Sequence, residues 1–356
     1  GCSVTTDHTV IECTTVAGVG TGHYWHMNIA GQVVKSSGTT DYEAPVIDSS
    51  PFSSTTFSTD GTYTMTITGQ YFGPAGEDIT PDAEYVSTTA SPSYGMMGDT
   101  YSTTCTVVSD AAVACATVEG VGYDLVWQVT VAGQASGYTS ATTAYSTPSI
   151  SGLAMGSGDL SSLDTAGSEV ITISGSDFGP AGTTNYVNAT LHNPSASDTY
   201  LEGSVLWALD CAVTTDHTEM QCDSPEGVGT DHQWAVWVGG QESSRYTTTT
   251  SSYGVPSISS VSGDGTTVGL VTTGGDTITV TGSNFGPADP TLIRASYAAN
   301  GNIALTYAQS SGGSYSGSSC SVTVDHTQIQ CSTPEGAGAS YYVTVSVADQ
   351  DSAESA

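Results

Sequence analysis

Basic residues are almost absent from this sequence of 356 residues. Against Lys35, Arg245 and Arg294 stand 35 aspartates and glutamates, so the formal net charge at pH 7 is −32. Nucleic acids and anionic lipid surfaces are both bound mainly through lysine and arginine, and a surface of this sign repels them. The composition therefore excludes nucleic acid as a partner.

Long apolar segments are missing as well. No run reaches the roughly 18 apolar residues that a membrane-spanning helix needs, so we predict no membrane insertion. Long amphipathic helical patterns are also absent. Apolar residues instead alternate with threonine in short runs, as at 64–68 and 277–281. A period of two predicts β-strands, and it favours a folded all-β protein over the disorder that high charge can indicate.

A block of two cysteines recurs along the chain and reveals an internal repeat. Its first cysteines are 103, 106 and 109 residues apart, which is the size of one immunoglobulin-like sandwich. Each block leads into a Gly-x-Gly loop, an aromatic and valine-rich run and, usually, Gly-Gln. A Tyr-x-x-Pro boundary then opens the next repeat, in which a strand ends in Gly-x-x-Phe-Gly-Pro.

The Tyr-x-x-Pro boundaries divide the chain into one half-repeat and three complete repeats. Residues 1–44 are the second half of a repeat and lack the Pro-x-Ile and Phe-Gly-Pro strands, whereas 45–147, 148–255 and 256–356 have both. We predict tandem Ig-like β-sandwiches, one per complete repeat. Proline stiffens each boundary, so we expect an extended rod.

Each repeat is predicted to contain one disulfide. Opposed residues of an antiparallel hairpin have a constant sum of residue numbers, so pairing the two cysteines of a block places Val4 opposite Ile11 and Val213 opposite Met220. The alternative is free buried thiols, but paired cysteines in every repeat are typical of an oxidising, extracellular compartment. The predicted bridges are Cys2–Cys13, Cys105–Cys115, Cys211–Cys222 and Cys320–Cys331.

The order of these motifs resembles tandem IPT/TIG domains. The resemblance rests on Pro-x-Ile, on Gly-Gly-Asp-Thr-Ile-Thr-Val-Thr-Gly-Ser-Asn-Phe-Gly at 274–286, on the two-cysteine hairpin and on Pro-Glu-Gly-x-Gly. It covers essentially the whole chain and implies Ig-like folds. The style rich in threonine, serine and glycine is most similar to extracellular surface or fibre proteins of protists and algae. The family has no catalytic residues to transfer, so the resemblance implies neither an enzyme nor a cofactor.

The Asp-His-Thr hairpin tips, which begin at Asp7, Asp216 and Asp325, are the most metal-like motif. We interpret them as turns, because three copies on separate domains share no site and aspartate favours turns. The alternative is a contact between neighbouring domains or chains. We predict no metal site and no catalytic set.

Glycosylation is predicted at two kinds of position. Asn188-Ala189-Thr190 is the only N-glycosylation sequon, since proline follows Asn193. Hydroxyl-rich stretches are interpreted as O-glycosylated links between repeats, with a bare polar linker as the alternative. The candidate threonines are Thr247, Thr248, Thr249 and Thr250.

The tryptophans divide into core and surface candidates. Trp127 and Trp234 alternate with valines along predicted strands, so we assign them to the core. By strand alternation, Trp25 and Trp237 point to the opposite side of the strand from at least one of their equivalents in other repeats. We interpret them as surface anchors for a neighbouring molecule.

The half-repeat suggests a function. Half a sandwich exposes sheet edges and one face of a core, and either an upstream segment or a neighbouring subunit must supply the lost strands. Supply by a neighbour is a heterologous contact that propagates, which predicts a homo-polymeric, glycosylated extracellular filament. The alternatives are a receptor or adhesin ectodomain that binds a protein or glycan, and an accessory module of a carbohydrate-active enzyme.

Overall fold

A computed structural model describes residues 1–75, 100–184, 186–192, 205–263, 269–288, 303–309 and 313–355, together with the backbone of 82–87. Regular structure in these ranges consists of β-strands alone. They contain no helix of the length and apolarity that crossing a membrane requires. The chain divides into two compact units, 1–146 and 147–356, which are treated separately below.

The first unit holds the half-repeat and the first complete repeat. The half-repeat has β1 (Cys2–Thr6), β2 (Val10–Cys13), β3 (His23–Ile29) and β4 (Gln32–Thr40). The complete repeat has β5 (Val46–Phe52), β6 (Thr56–Phe57), β7 (Thr64–Gln70), β8 (Asp82–Ser87), β9 (Thr100–Ser109), β10 (Ala112–Ala116), β11 (Leu125–Val131), β12 (Gln134–Ala135) and β13 (Ala144–Tyr145).

The second unit holds two complete repeats. The first of them has β14 (Ser149–Met155), β15 (Val170–Ser176), β16 (Val187–His192), β17 (Val205–Trp207), β18 (Leu209–Thr215), β19 (Glu219–Asp223), β20 (His232–Val238), β21 (Gln241–Glu242) and β22 (Tyr246–Ser251). The second has β23 (Ser257–Gly263), β24 (Thr277–Ser283), β25 (Ile303–Ala308), β26 (Ser314–Ser316), β27 (Ser318–Val324), β28 (Gln328–Ser332), β29 (Tyr342–Val347) and β30 (Gln350–Asp351).

Each repeat of the second unit has the two facing sheets of an Ig-like sandwich. The strand orders are β14-β15-β19-β18 and β17-β16-β20-β21 in one repeat, and β23-β24-β28-β27 and β26-β25-β29-β30 in the other. In the first unit, the long strand β9 pairs with β8 through its first half and with β10 through its second half. It therefore joins both sheets into one seven-stranded sheet.

The hairpin register agrees with the sequence prediction in every repeat. Val4 pairs with Ile11, and Val213 pairs with Met220. The pairs Val107–Val113 and Val322–Ile329 also form. All four disulfides have the predicted partners, and no cysteine is free.

The sandwich cores are built from the inward side of each alternating strand. In β11, the residues Leu125, Trp127, Val129 and Val131 are at most 1% exposed, while the residues between them are half-buried. The hairpin cystines of the complete repeats lie in the same cores, with Cys115 and Cys222 buried. Trp127 and Trp234 are core residues, as predicted.

Candidate functional site: the open half-repeat and the repeat junctions

The half-repeat consists of two separate two-stranded pairs, β1–β2 and β3–β4. In complete repeats, the strand equivalent to β2 pairs with a further strand, as β19 does with β15. The equivalent of β3 does the same, as β20 does with β16. Among the described residues no third strand joins either pair of the half-repeat, so two strand edges are open.

Several apolar side chains of the half-repeat are exposed, although the equivalent side chains of the complete repeats are buried in the core. Ile29 is 55% exposed, whereas its counterparts Val131 and Val238 are 1% and 2% exposed. Val4 is 62% exposed, against 2% for Val213. Fully burying such a side chain contributes about 1.5–3 kcal/mol, so this face favours association with the missing strands.

Trp25 has the strand position of the core residues Trp127 and Trp234 but is exposed, and its role as an anchor for a neighbouring molecule stays a prediction. Its indole N–H donates to Thr40, 3.2 Å away, as the buried Trp127 and Trp234 donate to Thr143 and Ser251 at 2.9 Å. Trp25 is 37% exposed only because the facing strands are absent from this half-repeat.

Trp237 is half-buried on β20, where its ring lies 6.2 Å from that of Trp207. Trp207 is 42% exposed, so this aromatic pair reaches the surface of the sheet. Its role as an anchor for a neighbouring molecule stays a prediction.

The Asp-His hairpin tips are turns that hold the Phe-Gly-Pro loop of their own repeat. The Asp216 carboxylate accepts the N–H of Ala181 at 2.8 Å, and Asp325 accepts that of Ala288 at 2.7 Å. His217 and His326 have φ values of +61° and +62°, and the following threonine N–H closes each turn. Two motifs that are distant in sequence therefore form one unit.

The tip of the half-repeat lacks that loop. Asp7 and His8 keep the turn, with φ +63° at His8, but both are exposed. A repeat that supplied a Phe-Gly-Pro loop would find here the turn that binds it in the complete repeats.

His326 also makes a tip contact with a neighbouring repeat. Its ring Nδ1 lies 3.1 Å from the hydroxyl of Thr165 in the preceding repeat. The hydrogen bond supports the alternative interpretation, a contact between neighbouring domains, for this copy of the tip.

At the junction inside each unit, a valine of the Gly-x-Gly loop packs against the core of the following repeat. Val228 is 1% exposed and packs into the core of repeat 256–356, while Val19 packs against the core of repeat 45–147. At Gly286, which has φ +81°, an added Cβ would collide with Val228. Glycine is therefore required there, both by backbone conformation and by the neighbouring repeat.

A boundary tyrosine closes the loop of its own repeat. The hydroxyl groups of Tyr42, Tyr145 and Tyr253 donate to the carbonyls of Val16, Val118 and Pro225, at 2.8, 2.9 and 2.8 Å. Their main-chain N–H groups each donate to the second glycine of the loop at 2.9 Å, namely Gly20, Gly122 and Gly229. Burial raises the pKa of the Tyr253 hydroxyl well above its ordinary value, so it stays a donor.

A glutamine of the following repeat then binds the boundary. The side-chain amides of Gln134 and Gln350 donate to the carbonyls of Tyr42 and Tyr253, at 3.0 and 2.9 Å. Gln241 lies 3.3 Å from the hydroxyl of Thr147 at its own boundary. Gln134 and Gln241 belong to Gly-Gln motifs that were visible in the sequence, whereas Gln350 follows Asp349, and only the fold shows that these glutamines bind the boundaries between repeats.

His232 is a buried neutral histidine at the junction. Desolvation lowers its pKa to about 4, despite the hydrogen bond between Nε2 and the Val228 carbonyl. Its ring meets that of Tyr253 edge to face at 5.4 Å. The exposed His23 makes the same two contacts, with Val19 and Tyr42.

The predicted N-glycosylation sequon lies inside a strand. Asn188 is half-buried on β16, opposite Trp237, and the Thr190 hydroxyl is 2.9 Å from the His192 ring. Its occupancy stays a prediction.

The stretch 247–250 was predicted to be an O-glycosylated link between repeats, and the prediction of a link is wrong. The four threonines lie in β22, which pairs with β20 as part of a sheet. Threonine is β-branched and suits a strand, which explains the difference. Thr247 and Thr248 are exposed, whereas Thr249 and Thr250 are half-buried.

A family model for the IPT/TIG domain matches residues 256–356. No curated protein matches the sequence.

Similar solved structures include a protein crystallised with a xylogluco-oligosaccharide, at 12% identity and TM-score 0.31, with 88% of this chain and 60% of that chain covered. The full extracellular region of plexin A4 is 11% identical, with TM-score 0.22 and coverage of 89% and 34%. The chicken CNTN1 FN1-FN3 domains are 9% identical, with TM-score 0.24 and coverage of 88% and 96%. The chain thus spans less than two thirds of the length of the first two.

Proposed function

Because repeat 256–356 matches the IPT/TIG domain and the other repeats share its motifs, we propose that this chain is a tandem IPT/TIG array and a structural subunit of an extracellular or cell-surface filament. The open half-repeat carries the proposal. Its core residues Val4, Trp25 and Ile29 are exposed, and both of its strand pairs have a free edge. A second copy that covered these edges would form a head-to-tail contact, which repeats indefinitely, whereas a segment preceding residue 1 would complete the sandwich within one chain.

Two further features support this role. One disulfide in each repeat suits an oxidising compartment outside the cell. The contacts of Val228, Tyr253 and Gln350 hold consecutive repeats together without a flexible linker, as a structural array requires.

The test is electron microscopy and light scattering of the purified chain. We expect polymers whose length increases with protein concentration. A chain preceded by a copy of residues 148–209, the half that residues 1–44 lack, should stay monomeric because its first sandwich is complete. The matched control is the same extension with aspartate at the positions of Ile171 and Ile173, which should still polymerise.

Discrete particles from the unmodified chain at every concentration would contradict the filament. They would favour the second candidate, a receptor or adhesin ectodomain. We also propose that the subunit is glycosylated at Asn188 and at the exposed Thr247 and Thr248. Glycopeptide mass spectrometry of native material tests those positions, and unmodified peptides would refute them.

A further inference from the structure

A cavity of about 420 Å³ opens beside the Gly-x-Gly loop of repeat 256–356. Leu270 lines it and is 39% exposed, although its counterparts Phe57 and Leu163 are 3% and 0% exposed. The walls used below are Leu270, Pro334, Gly336, Gly338, Tyr315 and Tyr341.

In the other complete repeats this place holds the boundary tyrosine. Tyr145 pairs with Phe57 in a short parallel strand pair, and Tyr253 forms an isolated parallel bridge with Leu163. Both tyrosines are 0% exposed. Leu270 therefore has the position that packs against a boundary tyrosine in the other complete repeats, and it is exposed here.

The carbonyl groups that accept hydrogen bonds from the boundary tyrosine have equivalents in the wall of the cavity. The Tyr253 hydroxyl donates to Pro225, two residues before the first loop glycine, and Pro334 has that position in repeat 256–356. The Tyr253 main-chain N–H donates to Gly229, whose counterpart is Gly338. Pro334 and Gly338 both line the cavity.

The aromatic surroundings match as well. Tyr101 meets Tyr145 edge to face at 5.5 Å, and His232 meets Tyr253 at 5.4 Å. The counterparts of Tyr101 and His232 are Tyr315 and Tyr341, which face each other at 5.6 Å in the cavity wall.

We propose that this cavity, the tyrosine slot, binds the tyrosine of an extended Tyr-x-x-Pro segment that leads into another repeat of this type. The three boundary tyrosines of the chain already fill the loops of their own repeats. The occupant therefore inserts its ring between Leu270 and Tyr341, pairs its main chain with Leu270, and donates its hydroxyl to Pro334. The proposal is independent of whether the chain polymerises.

The test delivers the segment within one molecule. Appending residues 248–256 to Ala356 places a tyrosine twelve residues after Gln350, the distance that separates Tyr253 from Gln241. The amide hydrogen exchange of Leu270 and of residues 336–338 should become about tenfold slower than in the same extension with alanine for tyrosine, since the two differ in one buried ring and its hydrogen bond. Phenylalanine should give an intermediate effect, because it keeps the ring.

Two point variants of the extended chain check that the slot is the site. Leu270→Asp should abolish the protection. Leu209→Asp is the matched control, because it adds the same charge at another exposed leucine, and it should leave the protection intact. Equal exchange in the tyrosine and alanine extensions would overturn the proposal, as would protection that survives Leu270→Asp.

Discussion

Gln350 donates its side-chain amide to the main-chain carbonyl of Tyr253 across a distance of 2.9 Å, although the two residues belong to consecutive repeats. Gln134 and Tyr42 repeat the arrangement in the first unit. The bond acts on a tyrosine that already closes the preceding Gly-x-Gly loop. One residue is thus held from both sides, and the boundary has a defined geometry.

The glutamine should contribute measurably to stability. Gln350→Ala removes a partner of the Tyr253 carbonyl, which we expect to destabilise repeat 256–356 by about 1 kcal/mol. Chemical denaturation followed by hydrogen exchange would measure this. Gln330→Ala, at a half-buried glutamine on the outer side of β28, should change stability by less than half as much. Equal effects would contradict a role for Gln350 at the junction.

Gly286 should tolerate alanine poorly. Its positive φ penalises any side chain, and an added Cβ also meets Val228 of the preceding repeat. Gly182 has a similar φ of +84° with open space around it, so Gly182→Ala carries the backbone penalty alone. We expect Gly286→Ala to lower the melting temperature further than Gly182→Ala. Similar losses would mean that the Val228 contact is unimportant.

The disulfide of the half-repeat should be reduced first. Cys2 is exposed and Cys13 half-buried, whereas Cys115 and Cys222 are buried in complete sandwiches. Brief treatment with a mild reductant and an alkylating reagent, followed by peptide mass spectrometry, should label Cys2 and Cys13 before any other cysteine. If association covers the half-repeat, assembled material should lose this selectivity.

Acid should destabilise repeat 148–255 through His232. The pKa of this histidine is about 4 in the folded protein and near 6.5 when unfolded, so the unfolded state binds more protons between these values. Stability that is fully present above about pH 6.5 should fall by roughly 3 kcal/mol as the pH approaches 4. Melting curves across this range would measure it.

His232→Leu provides the comparison, because leucine has this position in repeat 45–147 as Leu125. The stability of this variant should change little between pH 6.5 and 4. A pH dependence equal to that of the unchanged chain would show that other groups are responsible.

The sequence predicted the local geometry well, because it depended on pairing rules within short segments. The hairpin register followed from Cys211, Cys222 and the apolar pair between them, and all four copies agree. The open half-repeat followed from motif order alone. These features need no knowledge of how distant segments pack.

Features that depend on tertiary contacts were missed. The link between Asp216 and the Phe-Gly-Pro loop joins residues 35 positions apart, and the roles of Val228 and Gln350 lie across a junction. A sequence signal did exist, since the tip aspartate and the glutamine recur in all four copies and the loop valine recurs in three of them. Trp25, Trp127 and Trp234 all lie five residues after the second glycine of their loops, so aligning the loops would have placed Trp25 at a core position.

The packing of Val228 into the core of repeat 256–356 makes the two repeats of the second unit depend on each other. If repeat 148–255 unfolds, its successor loses a core side chain, and if the successor unfolds, Val228 becomes exposed and Tyr253 loses the hydrogen bond from Gln350. Heat or mechanical tension that opens one of these repeats should therefore weaken the other.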